Sequence, residues 1–213
     1  AQATEHGYQP TIGTTELRSA MAGFYKRWYG VDVDATTEVQ PLIGSKEGIL
    51  HVTLAFVNPG EQVLVPNPGY PTYTALSRLL GAEVVTYDLK EDNGWQPDFE
   101  ALEQMDLSRV RLMWTNYPNM PTGGNACRET YQRLVDFARR HDIVVVNDNP
   151  YSFILNEGEK LSRLRFRKTL TYRLLTFFQS SLLLPPCIMN SFSIYFFIIK
   201  HLTFIKVFIT FIK

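Results

Sequence analysis

After Glu159 this 213-residue sequence has no aspartate or glutamate, and after Gly158 it has no glycine. A run of alternating strands and helices needs glycine where helices end and acids on helix faces. Residues 164–213 are therefore expected to lie outside the fold of residues 1–163. The later stretch is rich in Phe, Ile, Lys, Asn, Tyr and Leu, the residues that A/T-rich codons specify, and reads as translation of a sequence never selected to fold here. Cysteine is nearly absent too. Cys127 and Cys187 show no Cys-x-x-Cys or Cys/His spacing, which excludes a disulfide framework and a zinc site and fits a reducing, cytoplasmic setting. The opening "AQATEHGYQP" has no methionine, basic region or apolar run, so nothing marks it for secretion and the chain is expected to begin within a longer protein.

The formal net charge of zero hides a split. Seven of the 21 Lys and Arg residues follow Arg163, so the body carries 14 − 21 = −7 and the tail +7. An acidic body without a basic cluster argues against nucleic acid as a partner. The stretch 192–212 is apolar, but Lys200, His201 and Lys206 interrupt it. A lysine at the centre of a span costs roughly 2.5–3.5 kcal/mol, so a membrane span is not expected, and the density of β-branched and aromatic residues points to aggregation instead.

What is present is ordered by period. Thr14 or Thr15 can cap a helix in which Leu17, Ala20, Met21, Phe24 and Trp28 form an apolar stripe ending at Gly30. Gly44 and Ser45 open a second helix after a short polar link, and Asn58-Pro59-Gly60 closes it. From Gln62 the runs "QVLVP", "TYTALSRLLG", "AEVVTY", "DFEALEQM", "VRLMWT", "RETYQRLVDFARRH" and "IVVVN" alternate strand with helix, which predicts βαβ units on a mostly parallel sheet. Continuous apolarity in "IVVVN" predicts a strand buried on both faces.

In such a sheet, ligands bind outside the carboxyl ends of the strands. Asp148 falls there after "IVVVN", and Asn116 and Asn119 fall there after "VRLMW". The turn "IGSKEG" offers the free N–H groups of a helix start, which suit a phosphate. Each feature also has a structural alternative: Asp148 as a turn cap, Tyr70 and Tyr73 as loop packing beside Pro68 and Pro71, Ser45 as a helix cap. Gly123-Gly124 lacks the spacing of a dinucleotide-binding turn, which sets aside a nicotinamide enzyme.

From Tyr8 to Leu161 the sequence resembles the class I/II aminotransferases, pyridoxal-phosphate enzymes of fold type I. "YQPTIGTTELRSAM", "GSKEGI", "PNPGYPTY", "YPNMPTGG" and "DNPY" are similar to that family's amino-terminal stretch, phosphate turn, ring-stacking loop, P-N-N-P-T-G element and D-x-x-Y element, in family order. The resemblance implies a three-layer αβα sandwich, here a partial large domain. It implies pyridoxal 5′-phosphate as cofactor, amino acid and 2-oxo acid substrates, and a homodimer. Carried over by residue, Asp148 would pair with the pyridine nitrogen, Tyr151 with the ring hydroxyl, and Tyr70 would stack on the ring. Ser45 and Lys46 would hold the phosphate, and Tyr8 would reach the phosphate of the partner subunit.

Two departures stand out. Met120 occupies the place of the second Asn of P-N-N-P-T-G, leaving Asn119 as a possible substitute donor to the ring hydroxyl. Nothing after Tyr151 matches the family's S-x-S-K segment, so the Schiff-base lysine is absent and no catalytic residue is assigned. The chain is thus expected to be inactive by itself. Two alternatives are a non-catalytic fragment that keeps cofactor-site or dimer-interface elements, and a membrane-associated product driven by its tail.

Overall fold

A computed structural model describes Tyr8 and residues 10–153, together with the backbone of 174–180 and 194–198. Helix α1 (Thr15–Tyr29) starts as its sequence predicts, with the Thr14 hydroxyl accepting from the Leu17 N–H at 3.3 Å. It ends at Gly30, whose φ of 69° suits a residue without Cβ. Met21, Phe24 and Tyr25 pack against Val31 and Val39.

The next strand, β1 (Val39–Leu42), lies where the sequence reads as a polar link. Pro41 cannot donate to a ladder, and β1 tolerates it because it sits at the sheet edge. Then come α2 (Ser45–Phe56), β2 (Gln62–Asn67), α3 (Pro71–Leu79), β3 (Glu83–Asp88), α4 (Phe99–Glu103), β4 (Val110–Asn116), α5 (Arg128–His141) and β5 (Val144–Asn149). Strand and helix alternate through residues 62–149 as expected.

Two more strands, β6 (Leu174–Ser180) and β7 (Ile194–Ile198), complete a seven-stranded sheet in the order β1-β7-β6-β5-β4-β2-β3. The pairs β2–β3, β2–β4, β4–β5 and β5–β6 are parallel, and β7 runs antiparallel to β6 and β1. Both strands lie within residues 164–213, the stretch that composition places outside the fold. Lack of glycine and acid disfavours helix ends, but a strand needs neither. The free edge of β5 presents a row of N–H and C=O groups that a β-branched, aromatic segment can pair.

Alternation along the strands sorts the core into two layers. Val63, Val65, Leu112, Trp114, Val144 and Val146 face α2 and α3, whereas Leu64, Met113 and Val145 face α4 and α5. Helices on both faces of a mostly parallel sheet make the expected three-layer αβα sandwich.

Candidate functional site

The chain runs outward from β2 to β3, then returns across β2 to place β4 on its other side and continues to β5 and β6. The direction of winding therefore reverses between β2 and β4, and it is at the strand ends of such a switch point that open α/β sheets bind ligands. The loop carrying Tyr70 follows β2, and the loop carrying Asn119 follows β4. Both sequence-predicted loops thus leave the sheet at its switch point.

Asp148 lies near the end of the adjacent β5. Its parity with Val144 and Val146 turns its side chain to the α2/α3 face, while Asn147 and Asn149 belong to the opposite one. The carboxylate is only 4% exposed. Its hydrogen-bond donor is the Tyr73 hydroxyl, 2.8 Å from Oδ2. Burial pushes the carboxyl up to about 6, against the opposing pull of that hydrogen bond. The Tyr73 hydroxyl is itself held well above its ordinary range, first by burial and then by the neighbouring carboxylate.

Tyr73 is where sequence reasoning stopped short: Tyr70 was given a role on the ring, whereas Tyr73 was named only in the alternative of loop packing. Pro71 opens α3 with Tyr70 as its N-cap, which puts Tyr70 at the rim and Tyr73 one turn inside. The Tyr73 ring stacks on Trp114 at 5.0 Å with planes 5° apart, and Tyr70 meets it edge-on at 5.6 Å. The i, i+3 spacing of two tyrosines at a helix start is the signal that was available.

In the loop after β4, Asn119 is 3% exposed. Its Oδ1 accepts from the Thr122 hydroxyl at 2.7 Å, but its Nδ2 is buried without a hydrogen-bond partner among the described residues. A buried donor left unmatched costs about 1–3 kcal/mol, which a ligand oxygen would remove. Tyr151, in the turn after β5, donates to Met120 Sδ at 3.3 Å. That turn is held by Asn149 Oδ1, which accepts from the Ser152 N–H at 3.2 Å, and by Phe153, which packs on Phe24 and Trp28 of α1.

Ser45 and Lys46 form the first residues of α2, Ser45 half-buried and Lys46 exposed. Gly44 provides no side-chain cap, so the N–H groups of the first turn are available to an anion. Glu47 works in the other direction: its carboxylate accepts the Ile43 N–H at 2.8 Å at this same helix end. Tyr8 is fully exposed. The structure thus joins Asp148 to Tyr73 and Tyr70, and Tyr151 to Met120, while Tyr8 and Lys46 stand open. Among the described residues no helix is long and apolar enough to cross a membrane, and no cluster of His, Cys, Asp and Glu could hold a metal.

The family model for aminotransferase class I and II matches residues 1–176. The chain belongs to that family. The match runs past residue 163 into β6. An LL-diaminopimelate aminotransferase from Dehalococcoides mccartyi is 45% identical over 157 residues, covering 74% of this chain and 40% of that protein. One from Aquifex aeolicus is 43% identical over 155 residues, covering 73% and 40%. The chain therefore spans about two fifths of the length of these curated relatives. Among solved structures, apo-BacF from Bacillus subtilis superposes with a TM-score of 0.80 at 34% identity, over 91% of this chain and 50% of that one. N-Succinyldiaminopimelate aminotransferase from Mycobacterium tuberculosis superposes with a TM-score of 0.76 at 28% identity, over 89% and 50%. Aminotransferases of this family use pyridoxal phosphate.

Proposed function

We propose that this chain is the cofactor-holding part of an aminotransferase that moves an amino group between an amino acid and a 2-oxo acid with pyridoxal 5′-phosphate. The observation that carries this reading is the buried carboxylate of Asp148. A carboxylate at the rim of a parallel sheet, with one hydroxyl partner among the described residues, is suited to a cationic ring N–H. The orphan Nδ2 of Asn119 on the same rim supports the same fit. Bound there, the cofactor supplies an electron sink for the substrate Cα.

The chain's own residues would then bind and orient. Asp148 accepts the ring N–H and keeps that nitrogen protonated, with Tyr73 holding the carboxylate in place. Tyr70 covers one face of the ring. Tyr151 and Asn119 address the ring hydroxyl, since the Met120 thioether cannot donate. Ser45, Lys46 and the α2 N-terminus hold the phosphate, and Tyr8 extends toward the phosphate of a partner subunit in a homodimer. No segment of the S-x-S-K type follows Tyr151, so this chain holds the cofactor without a covalent link and does not transaminate alone. The names of its relatives make LL-diaminopimelate the first amino donor to test on the whole protein, in a cytoplasmic setting.

Pyridoxamine phosphate tests the reading because it needs no lysine anchor. Titration of the full chain, followed by the fluorescence of the pyridoxamine ring, is expected to saturate at one equivalent and to fail in Asp148→Ala. Absence of saturable binding to a folded wild-type chain would remove the proposal.

A further inference from the structure

Asn116 is the last residue of β4, 2% exposed, and it stands opposite Asp148 at the final rung of the β4–β5 ladder. Beyond that rung the chain turns away, so the Asp148 carbonyl facing β4 has no further strand N–H to accept from. The Asn116 side chain substitutes for it: Nδ2 donates to the Asp148 carbonyl oxygen at 2.8 Å. The other end of the same amide, Oδ1, accepts the Met120 N–H at 2.7 Å. We propose that Asn116 is a positioning residue whose amide locks the 117–124 loop to the Asp148 strand end as one unit, a role that rests on the cofactor-site reading above.

The lock matters because of what hangs from the loop. Met120 Sδ receives the Tyr151 hydroxyl. Asn119 is tied to Gly124 and Gly123 by backbone bonds of 2.8 Å each, so the loop moves as a piece. Releasing Met120 from Asn116 therefore displaces Asn119 and the partner of Tyr151 together, while Asp148 stays with Tyr73. A planar amide with an acceptor at one end and a donor at the other matches both anchors. Alanine offers neither, and an ionised aspartate offers only the acceptor.

The test uses Asn116→Ala and Asn116→Asp in the full chain, with three readouts: hydrogen exchange of the Met120 amide, the denaturant midpoint, and affinity for pyridoxamine phosphate. Asn116→Ala is expected to speed Met120 exchange and to weaken pyridoxamine phosphate, each on the order of tenfold. Both effects should exceed any change in global stability. Asn116→Asp is expected to keep the Met120 amide protected yet still weaken binding, which separates the two anchors even if the alanine variant does not fold. Wild-type exchange and affinity in either folded variant would overturn the proposal, as would losses that only track the denaturant midpoint. A wild-type chain that binds no pyridoxamine phosphate would count against the cofactor reading, while the exchange measurement still decides whether Asn116 holds the loop.

Discussion

Asp148→Asn separates the stability of the site from its function. In the native chain the Asp148 carboxyl is raised from 3.8 to about 6 by burial. A raised acid binds its proton more tightly folded than unfolded, so its stabilising effect is complete below about pH 4 and is lost as pH climbs through 6. A shift of about two units corresponds to about 3 kcal/mol at pH 7. Asparagine has the same shape, does not titrate, and can still accept the Tyr73 hydroxyl through Oδ1. Asp148→Asn should therefore leave the cofactor-free chain about 3 kcal/mol more stable at pH 7 and nearly unchanged at pH 4. The assay is equilibrium denaturant unfolding of both chains from pH 4 to pH 7. The same variant should lose the stabilisation that pyridoxamine phosphate confers on wild type, because the ring N–H no longer meets a carboxylate. A variant less stable than wild type at pH 7, or a difference that stays flat with pH, would refute the reasoning.

Tyr73→Phe removes the hydroxyl that holds the Asp148 charge, so the carboxyl should rise further. The chain should lose about 2 kcal/mol at pH 7 and less at pH 4, by the same unfolding series. Borohydride reduction with pyridoxal phosphate, followed by peptide mapping, should find no stoichiometric label on Lys26, Lys46, Lys90 or Lys160. One fully labelled lysine among residues 1–163 would mean that the chain does hold the cofactor covalently and that the site has been misread. Gly30→Ala forces a Cβ into a left-handed position at the end of α1 and should cost about 1 kcal/mol, read as a lower thermal midpoint.

Much of the fold was legible because the relevant physics is local. The Thr14 cap, the Gly30 stop and the strand–helix alternation after Gln62 depend on neighbouring residues and on periods of 2 and 3.6. Asp148 stood out because an acid ending an apolar strand breaks its own pattern, and five motifs in order identified the family. What no local pattern carries is which element meets which. Period alone sends Asp148 to one face of β5, but its donor comes from Tyr73, 75 residues earlier, and only the stacking of Tyr73 on Trp114 of β4 brings the two together. Met120 as the acceptor for Tyr151, the unmatched amide of Asn119 and the clamp made by Asn116 likewise appear only once the loops are placed. Strand order belongs to the same class. Parallel pairing links segments far apart in the chain, so the reversal between β2 and β4, the edge position that tolerates Pro41, and the pairing of β6 and β7 onto β5 and β1 were set by backbone groups seeking partners. Composition is blind to that requirement, and so the glycine-free, acid-free segment still contributes two strands to the sheet.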